Sequence, residues 1–461
     1  MTKHKKRTLS HRKHVIGGKA IASGGFGCVF NPALSCKHKT AKTNGKNNTI
    51  SKLMKIKYAK EEYKEIQHFK QLLHDIPDYS NYFLLNEISL CEPAPLSEDD
   101  KKNFDKKCKS LKKMDITSEN VNSSLDRLLS LNIPYGGVDV EHYIKDVRMN
   151  YTKMHELNTS LIQLLQKGIH PMNEKGVFHC DIKDSNVLVQ EETDKEIRTR
   201  LIDWGLSTTF SGSAKTIPKL LTNRPFQFNV PFSIVLFNET FTKMYSEFLK
   251  KNKEPTFFEV RSFTMNYVIS WVNKRGPGHL KALNSMFTKM FERSLINIEE
   301  KFKEDLIEFD YTFYFIFEYI SYVLFKFTHD GVFQKMEYFK TVFLKNIDVW
   351  GFIMTYLPII EYLEPYYKQL CECEKEIFHL VCKMILYAIE CSYVPIDQGK
   401  VLEMLNKLNE LFLQAKKKST THFLEKIRSS SSGFSTTYKT KKHSKTALTK
   451  TVSRKKSSKS I

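Results

Sequence analysis

The stretch Gly176–Val189 constrains this chain more than any other, because it places a charged loop between two kinds of secondary structure. Apolar residues recur at helical spacing over 154–169, just before it, and the apolar run 187–189 predicts a strand at its end. Loops held between rigid elements are where catalytic and binding side chains collect. We therefore expect a fold that mixes helices and strands around this loop. Its polar side chains include His179, Asp181, Lys183 and Asn186.

Three of these side chains suit phosphoryl transfer. That reaction needs a carboxylate to orient the attacking hydroxyl group, a cation to neutralise the transferred phosphate and a ligand for a metal ion. Asp181 supplies the carboxylate, Lys183 the cation and Asn186 an amide oxygen for Mg²⁺. We therefore predict that Asp181 and Lys183 are catalytic and that Asn186 binds the metal.

Asp203 is the second predicted metal ligand. It follows the apolar pair Leu201-Ile202, which predicts the end of a strand, and it lies 22 positions after Asp181. A carboxylate delivered to a cleft in this way offers the hard oxygen atom that Mg²⁺ prefers. The alternative is an ordinary turn residue at a strand end.

A glycine-rich segment near the N-terminus is the predicted nucleotide contact. Glycines without a Cβ atom let backbone N–H groups approach phosphate oxygens, and flanking apolar side chains cover the base. An ordinary hairpin turn would have a similar sequence, so this segment alone is a weak signal. The predicted contacts are Ile21, Ala22, Ser23, Gly24, Gly25, Phe26, Gly27, Cys28 and Val29.

Lys52 is predicted to bind the phosphates of the nucleotide. It stands in the predicted strand segment Thr49-Ile50-Ser51-Lys52, and a lysine at the end of a buried strand needs a charged partner to stay protonated. Lys55 and Lys57 are nearby competitors for this role, but they lack an apolar strand on their N-terminal side. Glu65 on the following predicted helix is our first choice of partner and Glu62 the second. A surface Glu–Lys pair is the alternative.

In this order the glycine-rich segment, the lysine, the helix glutamate, H-x-D-x-K-x-x-N and D-W-G resemble the eukaryotic-type protein kinase superfamily. The resemblance implies ATP and Mg²⁺ as cofactors and protein substrates. Lys183, two positions after Asp181, is typical of the serine/threonine branch. Strand patterns come first and helix patterns second, which predicts an α+β chain with a small antiparallel-sheet N-lobe carrying one helix and a larger, mainly helical C-lobe.

Several segments also resemble kinases encoded by giant and other large eukaryotic DNA viruses. The tetrapeptide Asp348-Val349-Trp350-Gly351 looks like the D-x-W that anchors the central C-lobe helix and supports the catalytic loop from below. The segments that carry the viral resemblance are Gly24–Phe30, Ser51–Met54, Pro134–Gly137 and Asn223–Asn229.

Four positions depart from the kinase pattern. Ala22 replaces the first glycine, Cys180 replaces the usual arginine before the catalytic aspartate, and Trp204 replaces phenylalanine. The A-P-E motif is absent, with Val230-Pro231-Phe232 the nearest match. These changes concern regulation and substrate docking, because every residue that handles phosphate or metal remains.

The pattern divides the chain into four parts. A basic N-terminus covers 1–14, and the N-lobe covers 15–133, with a charged insertion or mobile loop at about 97–126 and predicted strands that include 81–90. The C-lobe covers 134–415, with an inserted or diverged segment at about 232–347. Residues 416–461 form a tail rich in serine, threonine and lysine, of a composition typical of disorder.

The net charge of +21 belongs to the two ends of the chain. Residues 1–14 carry +6 and residues 416–461 carry +13, so the body between them is nearly neutral. Basic tails of this kind favour weak contact with nucleic acid or another polyanion, or serve as solubilising or targeting segments. An ATP-binding pseudokinase or scaffold that acts through its tails, or a polyanion-binding protein, is the alternative to an active kinase.

Nine cysteines spread over the chain do not resemble a secreted disulfide framework. We therefore expect reduced thiols and an intracellular protein of the host-cell cytoplasm, with the virion as a second place, and no secretion. The most apolar stretch, Tyr311–Phe325, is too short to cross a bilayer and contains Glu318, so we expect no membrane span.

Overall fold

The computed structural model describes residues 18–23, 27–38, 49–192, 196–295 and 297–418. The predicted basic N-terminus and the tail beyond residue 418 lie outside these residues. The tail prediction began too early, because 416–418 belong to the last helix of the compact unit, which ends at Lys418.

Five antiparallel strands form the sheet of the N-lobe, in the spatial order β1-β2-β3-β5-β4. Strand β3 lies between β2 and β5, so Lys52 is placed in the middle of the sheet. The strands are β1 (Lys19–Ser23), β2 (Gly27–Asn31), β3 (Thr49–Lys55), β4 (Ser89–Cys91) and β5 (Leu128–Pro134), and helix α1 (Ile56–Leu73) follows β3.

The strand predicted over 81–90 is wrong for most of its length. Only residues 89–91 join the sheet. Upstream, the Leu84 amide donates to the Leu201 carbonyl and the Leu201 amide donates to the Tyr82 carbonyl. The backbone of 82–84 therefore pairs with the strand that leads to Asp203, and it connects the two lobes.

The segment 97–126 is packed and is not a loose loop. It contains three one-turn helices, and Phe104, Leu111 and Val121 are buried against the sheet residue Phe30. The rings of Phe30 and Phe104 lie 6.2 Å apart. The helices are α2 (Glu98–Lys101), α3 (Phe104–Lys107) and α4 (Lys109–Lys112).

The second lobe is mainly helical, as predicted, and the two-lobed α+β fold is confirmed. Its short strands are β6 (Val138–Asp139), β7 (Val177–Phe178), β8 (Val187–Glu191), β9 (Ile197–Leu201), β10 (Thr208–Thr209), β11 (Thr328–His329) and β12 (Val332–Phe333). Its helices are α5 (Val140–Asp146), α6 (Tyr151–Gln163), α7 (His170–Glu174), α8 (Glu239–Lys251), α9 (Phe257–Arg275), α10 (Leu280–Phe291), α11 (Glu300–Leu306), α12 (Tyr314–Lys326), α13 (Lys335–Tyr338), α14 (Leu344–Met354), α15 (Leu357–Leu363), α16 (Glu372–Glu390) and α17 (Gln398–Lys418).

Helix α14 is the core of this lobe. All its residues except Lys345 are buried, which fits a helix at the centre of the lobe. Phe232, at the position where the A-P-E motif is missing, lies fully buried with its ring 5.2 Å from that of Trp350. An apolar contact therefore attaches the preceding segment to α14.

The expectation that all cysteines are reduced is wrong for four of them. Cys28 is bonded to Cys108, and Cys36 is bonded to Cys91. Both bonds lie in the N-lobe, and the first joins β2 to the 97–126 segment. Sequence spacing could not show this, because the bonded pairs are 80 and 55 positions apart.

Within the described residues, no helix is both long enough and apolar enough to cross a bilayer.

Candidate active site

The loop before Asp181 is held from below by Asp348 on α14. One carboxylate oxygen accepts from the Cys180 amide (2.8 Å), and the other accepts from the His179 amide (2.9 Å) and the Asn173 side-chain amide (2.7 Å). Burial raises the pKa of the fully buried Asp348, while the charge of His179 and these hydrogen bonds act in the opposite direction. The support predicted for this aspartate is confirmed.

Gly351 allows α14 to lie directly against the same loop. A Cβ atom at this position would stand 2.6 Å from the Ile182 carbonyl oxygen and 3.1 Å from that of Asn229. Only a residue without a side chain leaves room for this approach. This close approach explains why position 351, after Trp350, is a glycine.

The Asp181 carboxylate is oriented by three side chains. Its Oδ2 atom accepts from Lys183 Nζ (2.9 Å) and Asn186 Nδ2 (2.9 Å), and its Oδ1 atom accepts from Asn229 Nδ2 (2.8 Å). Burial alone would raise the pKa of Asp181, but the charge of Lys183 and the bond from Asn229 outweigh it and lower the pKa. The group is therefore a carboxylate at neutral pH, fixed in direction.

Asn186 and Asp203 present suitable atoms for Mg²⁺. The hydrogen bonds of Asn186 to Asp181 use its amide nitrogen, which leaves the amide oxygen for a ligand. The Ile202 amide donates to the Asn186 carbonyl at 3.0 Å, so the backbone holds the exposed Asp203 beside Asn186. One amide oxygen and one carboxylate are hard donors that fit Mg²⁺.

Trp204 connects this metal-side turn to helix α1. Its ring lies 5.2 Å from that of Phe69 on α1 and 5.0 Å from the imidazole of His179, with Phe83 at 5.6 Å. The indole is buried, and its N–H has no hydrogen-bond partner among the described residues. A shift of α1 would therefore move Trp204, which contacts His179 of the catalytic loop.

The expected pairing of Lys52 with Glu65 is wrong. Lys52 Nζ lies 2.7 and 2.8 Å from the two carboxylate oxygens of Glu62, the second choice. Glu65, one turn further along α1, has its pKa raised by burial first and then by the neighbouring charges of Glu62, Glu61 and Asp203. Sequence spacing alone could not decide between two glutamates on adjacent turns.

Strand register shows which residues of the glycine-rich segment share a face with Lys52. Val29 lies opposite Lys52 in the β2–β3 pair and opposite Ala22 in the β1–β2 pair, and directly paired residues point to the same side of a sheet. Cys28 points to the other side, where it is buried and bonded to Cys108. Its side chain is therefore excluded from the predicted nucleotide contacts.

Some of the remaining predicted nucleotide contacts lie within the described residues and others lie outside them. Ile21 is 43% exposed and Gly27 is buried at the start of β2. Ser23 ends β1. Gly24, Gly25 and Phe26 lie outside the described residues, so their predicted role stays a prediction.

Three residues near Asp181 were missed by the sequence reasoning. Asn229 bonds Asp181, and the imidazole of His279 packs 5.6 Å from the ring of Phe228, where burial followed by the charge of Lys183 lowers the pKa of His279. Arg224 bonds the Cys180 carbonyl. The aromatic and polar residues of Asn223–Asn229 indicated that this segment could be functional. Their spacing matches no motif from which the contact of Asn229 with Asp181 could be predicted.

Arg224 provides the buried cation that Cys180 does not. Both terminal nitrogens of its guanidinium group donate to the Cys180 carbonyl, at 3.1 and 3.2 Å, and Nε donates to Gln227 at 2.6 Å. The side chain is 6% exposed. A positive charge therefore lies beside the catalytic loop, supplied from a segment 44 positions later in the chain.

One family model matches part of this chain. Residues 101–226 match the family model described as "Protein kinase domain". The match includes Asp181, Lys183, Asn186 and Asp203, and it ends before Asn229. No curated protein sequence matches this chain.

Proposed function

We propose that this chain, whose residues 101–226 match the protein kinase family model, is a protein kinase that transfers the γ-phosphate of ATP to serine and threonine hydroxyl groups of protein substrates. Asp181 and Lys183 are the catalytic residues, Lys52 binds the nucleotide phosphates, and Asn186 and Asp203 hold Mg²⁺. The bound metal would neutralise charge that develops on the phosphate oxygens.

The three-point attachment of the Asp181 carboxylate is the observation that carries this proposal. A carboxylate with a lowered pKa, fixed in direction, can accept a hydrogen bond from an incoming hydroxyl group and orient its oxygen toward phosphorus. Lys183, already bonded to Asp181, is placed to neutralise the transferred phosphate. Positioning and charge therefore supply the catalysis.

The arrangement favours an active enzyme over a scaffold. The groups that handle phosphate and metal lie on elements joined by direct contacts: β3 and α1 by the Lys52–Glu62 pair, and α1 and the catalytic loop by Trp204. The viral origin and the intracellular location stay predictions.

Analysis of the phosphorylated residue tests the specificity. The wild-type protein is incubated with labelled ATP, Mg²⁺ and a mixture of generic protein substrates, and the labelled amino acids are separated after acid hydrolysis. We expect phosphoserine and phosphothreonine, with no label when Lys183→Met replaces the wild type. Phosphotyrosine as the main product would contradict the proposal.

A further inference from the structure

A cavity of about 500 Å³ lies in the helical lobe between α16, α17 and the turn that follows α10. Its size is within the range of small-molecule sites. None of its lining residues belongs to the catalytic loop, to Lys52 or to the Asp203 turn. It is therefore a site of its own.

Arg293 on the wall of this cavity has an unsatisfied donor. Its guanidinium carbon lies 3.9 Å from the ring centre of Tyr367 and 4.5 Å from that of Phe378, so the group contacts two aromatic rings that pack edge-on against each other. Nη2 donates to the Met290 carbonyl at 3.4 Å. Nη1 is buried and has no partner among the described residues. A buried guanidinium donor without a partner is costly, so an acceptor that reaches Arg293 from the cavity would be favoured.

The charges around the cavity favour an anion. Lys383 and Lys400 line it with exposed side chains, and Glu390 is the acidic residue among the lining residues. Lys400 Nζ lies 4.3 Å from the ring centre of Tyr387, and within the described part of the chain no carboxylate forms an ion pair with Lys383, Lys400 or Arg293. The formal charge of the wall is therefore +2, with histidine neutral.

A phosphomonoester matches both the charge and the geometry. It carries about −1.5 to −2 charges at pH 7 and offers three strong acceptor oxygens. The flat fork of an arginine is suited to such a group. Phe291, Leu386 and Met404 line the rest of the cavity, so an apolar organic group can be buried beside the phosphate.

We propose that this cavity binds a small organic phosphomonoester, with Arg293 as the main phosphate ligand and Lys383 and Lys400 as supporting cations. The apolar wall contacts the organic group. Because binding selects the folded protein, the ligand also stabilises the helical lobe.

Calorimetric titration of the full chain with phenyl phosphate, inorganic phosphate and phenol tests the proposal. We expect saturable binding of phenyl phosphate, about 10-fold weaker binding of inorganic phosphate and none of phenol, because charge and apolar contact both contribute. Arg293→Gln should weaken phenyl phosphate binding by about 10-fold or more, and Lys400→Gln by about threefold. Thermal melting should show the same order of stabilisation.

Two control variants identify the site. Lys407→Gln removes the same charge two turns further along α17, outside the cavity, and Lys52→Met removes the phosphate-binding lysine of the nucleotide cleft. Both should bind phenyl phosphate like the wild type. Loss of binding in Lys52→Met would place the phosphate in the nucleotide cleft. Such a loss would overturn the proposal. Equal binding of inorganic phosphate and phenyl phosphate would also overturn it, and so would wild-type affinity for phenyl phosphate in both Arg293→Gln and Lys400→Gln.

Discussion

At the scale of single residues, the candidate site depends on how each charge is partnered. Asp181 has three donors, which lower its pKa despite burial. Lys52 has one carboxylate partner, Glu62, and both side chains are largely protected from water. A partner removed from such a pair leaves the other charge without compensation. Single substitutions should therefore show which nearby residues are bonded to a charged group of the site and which only lie close to it.

The two glutamates of α1 provide the first test. Glu62→Gln should lower kcat/KM for ATP by about 10-fold or more, because the Lys52 ammonium loses the carboxylate that holds it. Glu65→Gln, the matched control one turn away, should stay within about threefold of the wild type. Steady-state kinetics at saturating protein substrate measures both. An equal loss in the two variants would show that Glu62 has no special role.

Asp184 in the catalytic loop gives a pH-dependent prediction. Burial, and then the charges of Glu141 and Asp139, raise the pKa of Asp184 to about 6. The folded state thus binds a proton more tightly than the unfolded state, so this group favours folding at low pH and that contribution is lost as pH rises through about 6. Asp184→Asn should raise the free energy of unfolding at pH 7.5 by about 3 kcal/mol, because the pKa rises from 3.8 to about 6 on folding.

Urea unfolding between pH 4 and pH 8 measures this effect. The difference between Asp184→Asn and wild type should grow from near zero at low pH to its full value above pH about 6.5. Asp126→Asn, at an exposed position, is the control and should leave the profile unchanged. A constant difference at every pH would mean that titration of Asp184 is not the cause.

At the scale of elements, the catalytic loop is fixed by α14 from below and by the segment 224–229 from the side. Asp348 holds its backbone, Arg224 bonds the Cys180 carbonyl, and Asn229 bonds Asp181. These attachments come from distant parts of the chain, so the loop geometry requires the whole helical lobe. The role of Asp348 could be predicted from its tetrapeptide motif. The contact of Asn229 with Asp181 could not, because Asn229 is part of no recognised motif.

Asn229→Ala tests the side attachment. It removes one of the three donors to Asp181, so we expect kcat to fall about 10-fold. The KM for ATP should stay within about twofold, because the Asn229 amide is bonded to Asp181 and the Ile182 carbonyl and is not among the predicted nucleotide contacts. Asn252→Ala, at the end of α8 where the amide bonds only the Phe248 carbonyl, is the matched control. Wild-type kcat in Asn229→Ala would show that this hydrogen bond does not orient Asp181.

At the scale of the whole molecule, local patterns predicted the two lobes and the loop of Asp181, because each is written in a contiguous stretch. Contacts between distant segments could not be predicted: the packing of Phe104 on Phe30, the choice of Glu62 over Glu65, and the pairing of 82–84 with Leu201. The disulfides are the clearest case, since composition favoured reduced thiols and the structure brings Cys28 and Cys108 together.

A thiol count tests that correction. The protein, denatured without reductant, should expose five reactive thiols of its nine cysteines, because Cys28–Cys108 and Cys36–Cys91 are bonded. The count should rise to nine after reduction. A Cys28→Ser/Cys108→Ser double variant should expose five thiols before reduction and seven after it. Nine thiols in the unreduced wild type would restore the expectation of a fully reduced protein.

The central claim is that Asp181 orients the attacking hydroxyl group and does not hold the nucleotide. The most direct test measures single-turnover γ-phosphate transfer and ATP affinity together, in wild type and in Asp181→Ala. We predict that the transfer rate falls by about 100-fold or more while the Kd for Mg-ATP changes by no more than about threefold. Transfer at the wild-type rate in Asp181→Ala would contradict it.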